Sequence, residues 1–183
     1  MNYIKIDKAS ISNGLGFRVV LWCAGCTLQC EGCQNQQAQD FNAGKPFDKD
    51  AERFLFEQLS KPYIKGITFS GGHPLEQKNA NEIFCLIKKI KEKFPSKDIW
   101  LYTGYTFEEI CEQYCNERIY KLFGGEIEYT KWECLKYVDV LVDGPYIEEQ
   151  RDITLPFCGS KNQRLIDVKE TLKQGQIIQY KIN

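Results

Sequence analysis

Arg18-Val19-Val20-Leu21-Trp22 runs directly into Cys23-Ala24-Gly25-Cys26-Thr27-Leu28-Gln29-Cys30-Glu31-Gly32-Cys33-Gln34-Asn35. A short run of β-branched and bulky apolar residues predicts a buried strand, the first of the chain, and the thiols lie on the loop by which the chain leaves it. Outward from there, apolar runs of strand length alternate with amphipathic segments of helix length. Asp48 reads as the N-cap of a helix to Leu59, with Ala51, Phe54, Leu55 and Leu59 on one face and Pro62 beyond its end. Gly66-Ile67-Thr68-Phe69-Ser70 reads as a strand broken by Gly71-Gly72-His73-Pro74. Gln77 to Phe94 places Ile83, Leu86, Ile87 and Ile90 at helical spacing. A strand over Asp98–Thr103, a helix from Phe107 to about Tyr120, an irregular insert around Phe123 to Lys136 and a strand over Val138–Val142 follow. Gln163–Val168 and Gln176–Tyr180 read as two more strands.

This alternation predicts an α/β fold of βα units around a largely parallel sheet, in a single domain spanning residues 1–183 with no repeat, linker or low-complexity tract. Ligands of such sheets sit at the carboxyl ends of the strands. The cysteine loop, the Gly-Gly-His-Pro turn, Thr103-Gly104-Tyr105 and Asp143-Gly144-Pro145 all fall at such ends, so they are expected to line one mouth.

Composition narrows the chemistry. With 183 residues, 43% hydrophobic and 27% charged, the chain is an ordinary globular protein, long enough to bury about 70% of its unfolded surface without disulfides. Nine cysteines therefore need another explanation. Their number is odd, Met1-Asn2-Tyr3-Ile4-Lys5 opens no signal peptide, and no apolar run approaches the roughly 20 residues of a membrane span. The expectation is reduced thiols in the cytoplasm, free to act as ligands. A net charge of −1 without a long Lys/Arg cluster argues against a nucleic-acid surface.

Cys26, Cys30 and Cys33 have the spacing C-x3-C-x2-C. Three thiolates can hold three irons of a cubane 4Fe-4S cluster and leave the fourth without a protein ligand, open to substrate chemistry. The rival is a structural zinc site, which closes four positions and would need Cys23 or the lone His73 as its fourth ligand. Zinc loops usually come as paired knuckles, and the only other close pair, Cys111 and Cys115, lies on a predicted helix, so the cluster stands ahead of zinc. An electron-transfer ferredoxin is weaker still, because that role calls for four cysteines per cluster. Cys111 and Cys115 share a helix face, within reach of a common metal with Cys85 or Cys134, but buried small-hydrophobe roles are favoured for these four.

The cysteine motif resembles the signature of radical S-adenosylmethionine (SAM) enzymes, and Gly71-Gly72-His73-Pro74 resembles their Gly-Gly-Glu-Pro turn. More narrowly, Asn13-Gly14-Leu15-Gly16-Phe17-Arg18, Cys33-Gln34-Asn35, the stretch Asp98 to Thr106, Asp139 to Tyr146 and Gly159 to Arg164 resemble the anaerobic ribonucleoside-triphosphate reductase-activating family. The resemblance spans residues 11 to 168. It implies a compact partial (β/α) barrel, a 4Fe-4S cluster on Cys26, Cys30 and Cys33, and SAM chelated at the open iron. The implied reaction is reductive cleavage of SAM to a 5′-deoxyadenosyl radical that takes hydrogen from a glycine of the reductase. The implied partners are that reductase and a flavodoxin or ferredoxin as electron donor. Pyruvate formate-lyase or another glycyl radical enzyme as target, or a deazapurine-pathway synthase, are the near alternatives, and a zinc-binding interaction module the distant one. Because the cofactors carry the chemistry, no acid–base pair or triad is expected among the side chains.

Within that expectation, Gly71 and Gly72 offer backbone to SAM's amino group, and Asn35, Thr103, Tyr105 and Asp143 complete the candidate cofactor contacts. His73 stands where the family turn carries an acid, Pro145 where related activases carry Lys, and Cys158 where a basic residue is expected. Arg164 and Asn162 either touch SAM or cap the sheet. Trp22 is expected to shield the cluster, with Cys23 a neighbour of it.

Overall fold

The structure, a computed structural model, describes residues 1–122 and 131–182. Its strands are β1 (Asn2–Ser10), β2 (Arg18–Cys23), β3 (Lys45–Pro46), β4 (Gly66–Gly71), β5 (Asp98–Tyr102), β6 (Val140–Asp143) and β7 (Arg164–Asp167). Its helices are α1 (Lys49–Leu59), α2 (Gln77–Lys93), α3 (Phe107–Leu122), α4 (Lys131–Leu135) and α5 (Val168–Gln174). One sheet runs in the order β3-β1-β2-β4-β5-β6-β7. β2, β4, β5 and β6 are parallel neighbours, whereas β1 pairs antiparallel with β2 and β3, and β7 antiparallel with β6. The parallel sheet is therefore a four-strand centre inside an open, mixed sheet.

The period of two along each central strand sorts side chains onto two unlike faces. Val19, Leu21 and Cys23, Ile67 and Phe69, Ile99 and Leu101, and Leu141 join one core with Leu55 and Leu59 of α1, Ile83, Ile87 and Ile90 of α2, Ile110 of α3 and Leu135 of α4. The opposite face carries Trp22, Ser70 and Tyr102 along a cavity, and a smaller cluster of Trp100, Val140 and Val142 below it. Asp48 caps α1 through hydrogen bonds from the Asp50 and Ala51 amides, as its sequence predicts.

Below the mouth, the Asn13 to Arg18 block closes around a buried cation. Arg18, fully buried, donates to Thr68 Oγ1 at 2.8 Å, to the Ile67 carbonyl at 2.8 Å and to the Leu15 carbonyl at 3.1 Å, and pairs with Asp98 at 2.6 Å. Its guanidinium lies 5.2 Å from the Trp100 ring. Gly14, at φ +135°, admits this arrangement, since a Cβ there would stand within 2.9 Å of both Arg18 and Trp100.

Three expectations change. β1 precedes the Arg18–Cys23 strand, so that strand is the second; β1 has no fully buried residue, and its weak apolar contrast hides it in the sequence. The tail Gln176–Tyr180 forms one isolated bridge, Ile166 to Gln179, rather than a strand. Between it and β7 lies α5, capped by Asp167 and ended by Gly175 in the left-handed region at φ +69°, where Val168 had read as strand. The insert expected around Phe123 to Lys136 lies outside the described residues from 123 to 130, and α4 occupies most of the rest.

Candidate functional site

Each of the four unusual loops leaves the carboxyl end of a parallel strand, and main-chain hydrogen bonds stitch them side by side. The Gly72 amide donates to the Cys23 carbonyl at 2.7 Å and the His73 amide to the Gly25 carbonyl at 2.8 Å, tying the turn after β4 to the cysteine loop after β2. Asn79 of α2 donates from Nδ2 to the carbonyls of Ala24 and His73. The Thr103 amide donates to the Val142 carbonyl and the Gly144 amide to the Tyr105 carbonyl, joining the loops after β5 and β6. The contact between Gly72 and the cysteine loop is close enough to demand glycine: a Cβ at Gly72 would sit 2.5 Å from the Ala38 carbonyl and 2.6 Å from that of Gly25.

The loops surround a cavity of about 350 Å³ in which Cys26, Cys30 and Cys33 share the wall with Asn35, Gly71, Gly72, His73 and Thr103. Seven of the nine residues expected to hold cofactor or metal, Cys26, Cys30, Cys33, Asn35, Gly71, Gly72 and Thr103, are thus brought to one place. The polar side of the sheet continues that wall through Trp22, Ser70 and Tyr102. The connection 144–163 closes over it: Tyr102 donates from its hydroxyl to the Phe157 carbonyl at 2.8 Å, and Phe157, Cys158 and Ile153 line the far side. Asn162 and Gln163 donate to the carbonyls of Pro145 and Gly144, so the Gly159 to Arg164 block serves to fold this connection back on the turn after β6.

The cysteine loop suits a thiolate-bound cluster. The Asn35 amide donates to Cys33 Sγ at 3.4 Å. Burial pushes the Cys26 thiol up, and a main-chain hydrogen bond from Leu28 opposes it. N–H groups aimed at sulfur stabilise the thiolate and tune the potential of an iron–sulfur cluster. Gln29 and Gly32, both at positive φ, turn the chain between the three cysteines. Among the described residues no three His, Cys, Asp or Glu side chains converge on a point that one metal ion would fill. Cys26, Cys30 and Cys33 all line the one cavity, and among the described residues Cys85, Cys111, Cys115 and Cys134 form no metal-holding group.

The other cysteines divide by environment. Cys23 points to the helix side, fully buried, and desolvation pushes its thiol up to about 12. Cys134 is buried likewise, also pushed to about 12 by desolvation, while Cys85 and Cys115 are exposed. Cys158 lines the cavity, and burial raises it to about 11.

Two expected contacts stand back from the wall. Tyr105 packs its ring against His73 at 4.7 Å between centroids, with Lys131 Nζ 4.2 Å from the same ring. Asp143 is fully buried, and both of its oxygens accept hydrogen bonds from Arg164 while Oδ2 also accepts the Phe107 amide. Arg164 in turn pairs with Glu108, so it caps the sheet end and the start of α3.

Glu76, which the sequence reading passed over, is the buried acid of the site. Its Oε2 accepts from the Thr27 amide at 3.1 Å and the Thr27 hydroxyl at 2.7 Å, and lies 3.8 Å from His73 Nδ1. The signal was present in its position, an acid at the N-cap of α2 three residues after His73.

Residues 12–166 match the family described as a 4Fe-4S single cluster domain. The chain is 41% identical over 165 residues to the anaerobic ribonucleoside-triphosphate reductase-activating protein of Enterobacteria phage T4, covering 90% of this chain and 93% of the relative. Proteins of the same name from Haemophilus influenzae and Escherichia coli K12 are 36% and 33% identical, each over 89% of this chain and 96% of its own length.

Proposed function

Because the chain belongs to the family of anaerobic ribonucleoside-triphosphate reductase-activating proteins, we propose that it generates the glycyl radical of a class III reductase by reductive cleavage of SAM at a cluster held by Cys26, Cys30 and Cys33. The observation that carries this reading is the placement of three thiols, two of them receiving main-chain N–H groups, in the same cavity wall as the Gly71-Gly72 turn. When bound and reduced, the cluster supplies one electron that breaks the sulfur–C5′ bond of SAM, giving methionine and a 5′-deoxyadenosyl radical that takes a hydrogen atom from the reductase glycine.

What remains to the protein is binding, orientation and exclusion of water. Gly71 and Gly72 bring main chain to the amino acid end of SAM, Asn35 and Thr103 add polar contacts in the same wall, and the connection 144–163 covers the other side. Asp143 acts one step back, holding the turn of Gly144, which lines the cavity. The open sheet with its four parallel strands is compatible with a partial barrel of the radical SAM type, folded as one domain over residues 1–183. We place the protein in the cytoplasm, with flavodoxin or ferredoxin as the electron donor; among the described residues no helix is long and apolar enough to cross a membrane.

The test is anaerobic reconstitution, reduction with dithionite and addition of SAM, with and without a co-encoded class III reductase. 5′-Deoxyadenosine and a glycyl radical signal on the reductase are expected. Absence of SAM cleavage by cluster-loaded protein would overturn the reading, and radical formation on pyruvate formate-lyase alone would reassign the partner.

A further inference from the structure

We propose that the Ser70 hydroxyl is a hydrogen-bonding contact for the main chain of the reductase's glycine-bearing segment, at a subsite on the sheet face below the loops that hold the cofactors. This assignment rests on the reading of the protein as an activator of that enzyme. The reaction brings two reactants into one cavity of about 350 Å³. The loops account for one of them, since Cys26, Cys30, Cys33, Gly71 and Gly72 all lie at or beyond the carboxyl ends of the strands. The sheet face beneath is left for the other.

That face is built in rows. Trp22 pairs in register with Ser70, and Tyr102 follows Leu101, the partner of Phe69, so Trp22, Ser70 and Tyr102 form one row across three strands, all lining the cavity. One row down, Val20, Thr68, Trp100 and Val140 are buried register partners that close the floor, with Thr68 Oγ1 held between Arg18 and the Asn13 carbonyl. In the upper row the polar ends of both aromatic side chains are engaged: the Trp22 indole donates to Asp7 Oδ2 at 2.7 Å and the Tyr102 hydroxyl to the Phe157 carbonyl at 2.8 Å. They offer the cavity apolar rings. Ser70 between them is 7% exposed, and its hydroxyl has no hydrogen-bond partner among the described residues. The other polar side chains of the wall that are buried as deeply, His73 and Thr103, bond each other.

A glycine presents bare main chain, and each N–H or C=O drawn out of water needs a partner in the protein. One free hydroxyl, able to donate one hydrogen bond and accept others, supplies that partner for a peptide group. The rings on either side offer nothing further to a polar guest. A ribose edge, with two neighbouring hydroxyls, finds only one partner in this row and is better served by the loops above. Access suits a polypeptide as well. Ser12, exposed, and Ile153, 85% exposed, both line the cavity, and Ser12 adjoins Asn13, whose carbonyl accepts the Thr68 hydroxyl at 2.7 Å. The cavity therefore meets solvent at the level of the sheet rows, where a segment of chain can enter without passing the cysteine loop.

The test uses the full chain with its cluster reconstituted and reduced, SAM, and a class III reductase deuterated at its glycines. It reads iron content, SAM affinity, glycyl radical per 5′-deoxyadenosine formed, and deuterium passed to that product. Ser70→Ala removes the hydroxyl, and Ser70→Val also fills its surroundings with methyl groups. Both are expected to keep the iron and the SAM affinity of the parent. Radical and deuterium per 5′-deoxyadenosine should fall about fivefold in Ser70→Ala, the worth of one neutral hydrogen bond, and further in Ser70→Val. The assignment is overturned if Ser70→Ala couples like the parent, if Ser70→Val transfers as well as Ser70→Ala, if either variant loses iron, or if either weakens SAM binding, which would give the hydroxyl to the cofactor. A parent that cleaves no SAM, or that passes no deuterium from the reductase, brings down the proposed function and this subsite together. A parent that does both beside an indifferent Ser70→Ala brings down the subsite alone.

Discussion

Arg164 donates to both carboxylate oxygens of Asp143, Nε to Oδ1 at 3.0 Å and Nη2 to Oδ2, across the antiparallel register that pairs the end of β6 with the start of β7. The Phe107 amide completes the arrangement at 2.8 Å, and Glu108 holds the far side of the guanidinium. Three elements therefore meet on one buried carboxylate whose loop borders the cavity.

Removing Arg164 leaves that carboxylate buried with one hydrogen bond. Arg164→Ala is expected to cost about 3–5 kcal/mol of stability, and Asp143→Asn less, because the amide needs no counter-charge. Denaturant unfolding of the two variants checks the order, which reverses if Arg164 serves mainly as a SAM contact.

The cysteines are expected to separate by place rather than by number. Cys26→Ala, Cys30→Ala and Cys33→Ala should each lose most of the iron and sulfide bound per chain. Cys85→Ser and Cys115→Ser, both exposed and away from the cavity, should load like the parent, and Cys158→Ser should keep its iron although it borders the same space. Iron and sulfide analysis after anaerobic purification decides this.

Gly72→Ala tests how closely the turn after β4 must approach the cysteine loop. The added Cβ meets two carbonyl oxygens within 2.6 Å, and overpacking of this kind costs about 1–3 kcal/mol. Iron loading should fall with it. Gly144→Ala meets nothing nearer than 3.4 Å but sits at φ +91°, so it should cost about 1–2 kcal/mol of backbone strain and spare the cluster.

Asp139 anchors the other end of the sheet. Burial alone would raise its carboxyl, but hydrogen bonds from Lys169, Lys91 and the Ile99 amide outweigh it and hold the group below its ordinary 3.8. A depressed carboxyl stabilises the fold above its unfolded value, and that contribution disappears as pH falls through the lower folded value. The difference in melting temperature between the parent and Asp139→Asn should therefore be full at neutral pH and shrink below about pH 3.8. A constant difference down to pH 2 would contradict this.

The central strands and their helices were legible because their signals are local: Val19 and Leu21, or Ile83 and Ile87, announce buried faces by spacing alone, and the loops that follow them announce the mouth by glycine and cysteine. β1 was not legible, since an amphipathic strand near a sheet edge carries little apolar contrast. Nor was α5, whose cap, Asp167, ends a strand in the same sequence run. At the site, a motif fixed which cysteines and glycines matter, but not which polar groups were already spoken for. Asp143 reads as an available acid until Arg164, 21 residues away, is seen to engage it, and Glu76 reads as a helix residue until Thr27, 49 positions earlier, is seen to lean on it.

The buried Arg18 has a consequence for how the chain is made. Its partners come from Ile67 and Thr68 on β4 and from Asp98, 80 positions along the sequence, at the start of β5. A guanidinium cannot leave water before they are in place, so β2 docks only when β5 is available, and a fragment ending before Asp98 lacks a stable fold. On the ribosome, more than half the polypeptide must emerge before the loop after β2 takes its shape. Cluster insertion then follows folding instead of nucleating it, the reverse of a zinc finger, whose metal organises an otherwise unfolded chain.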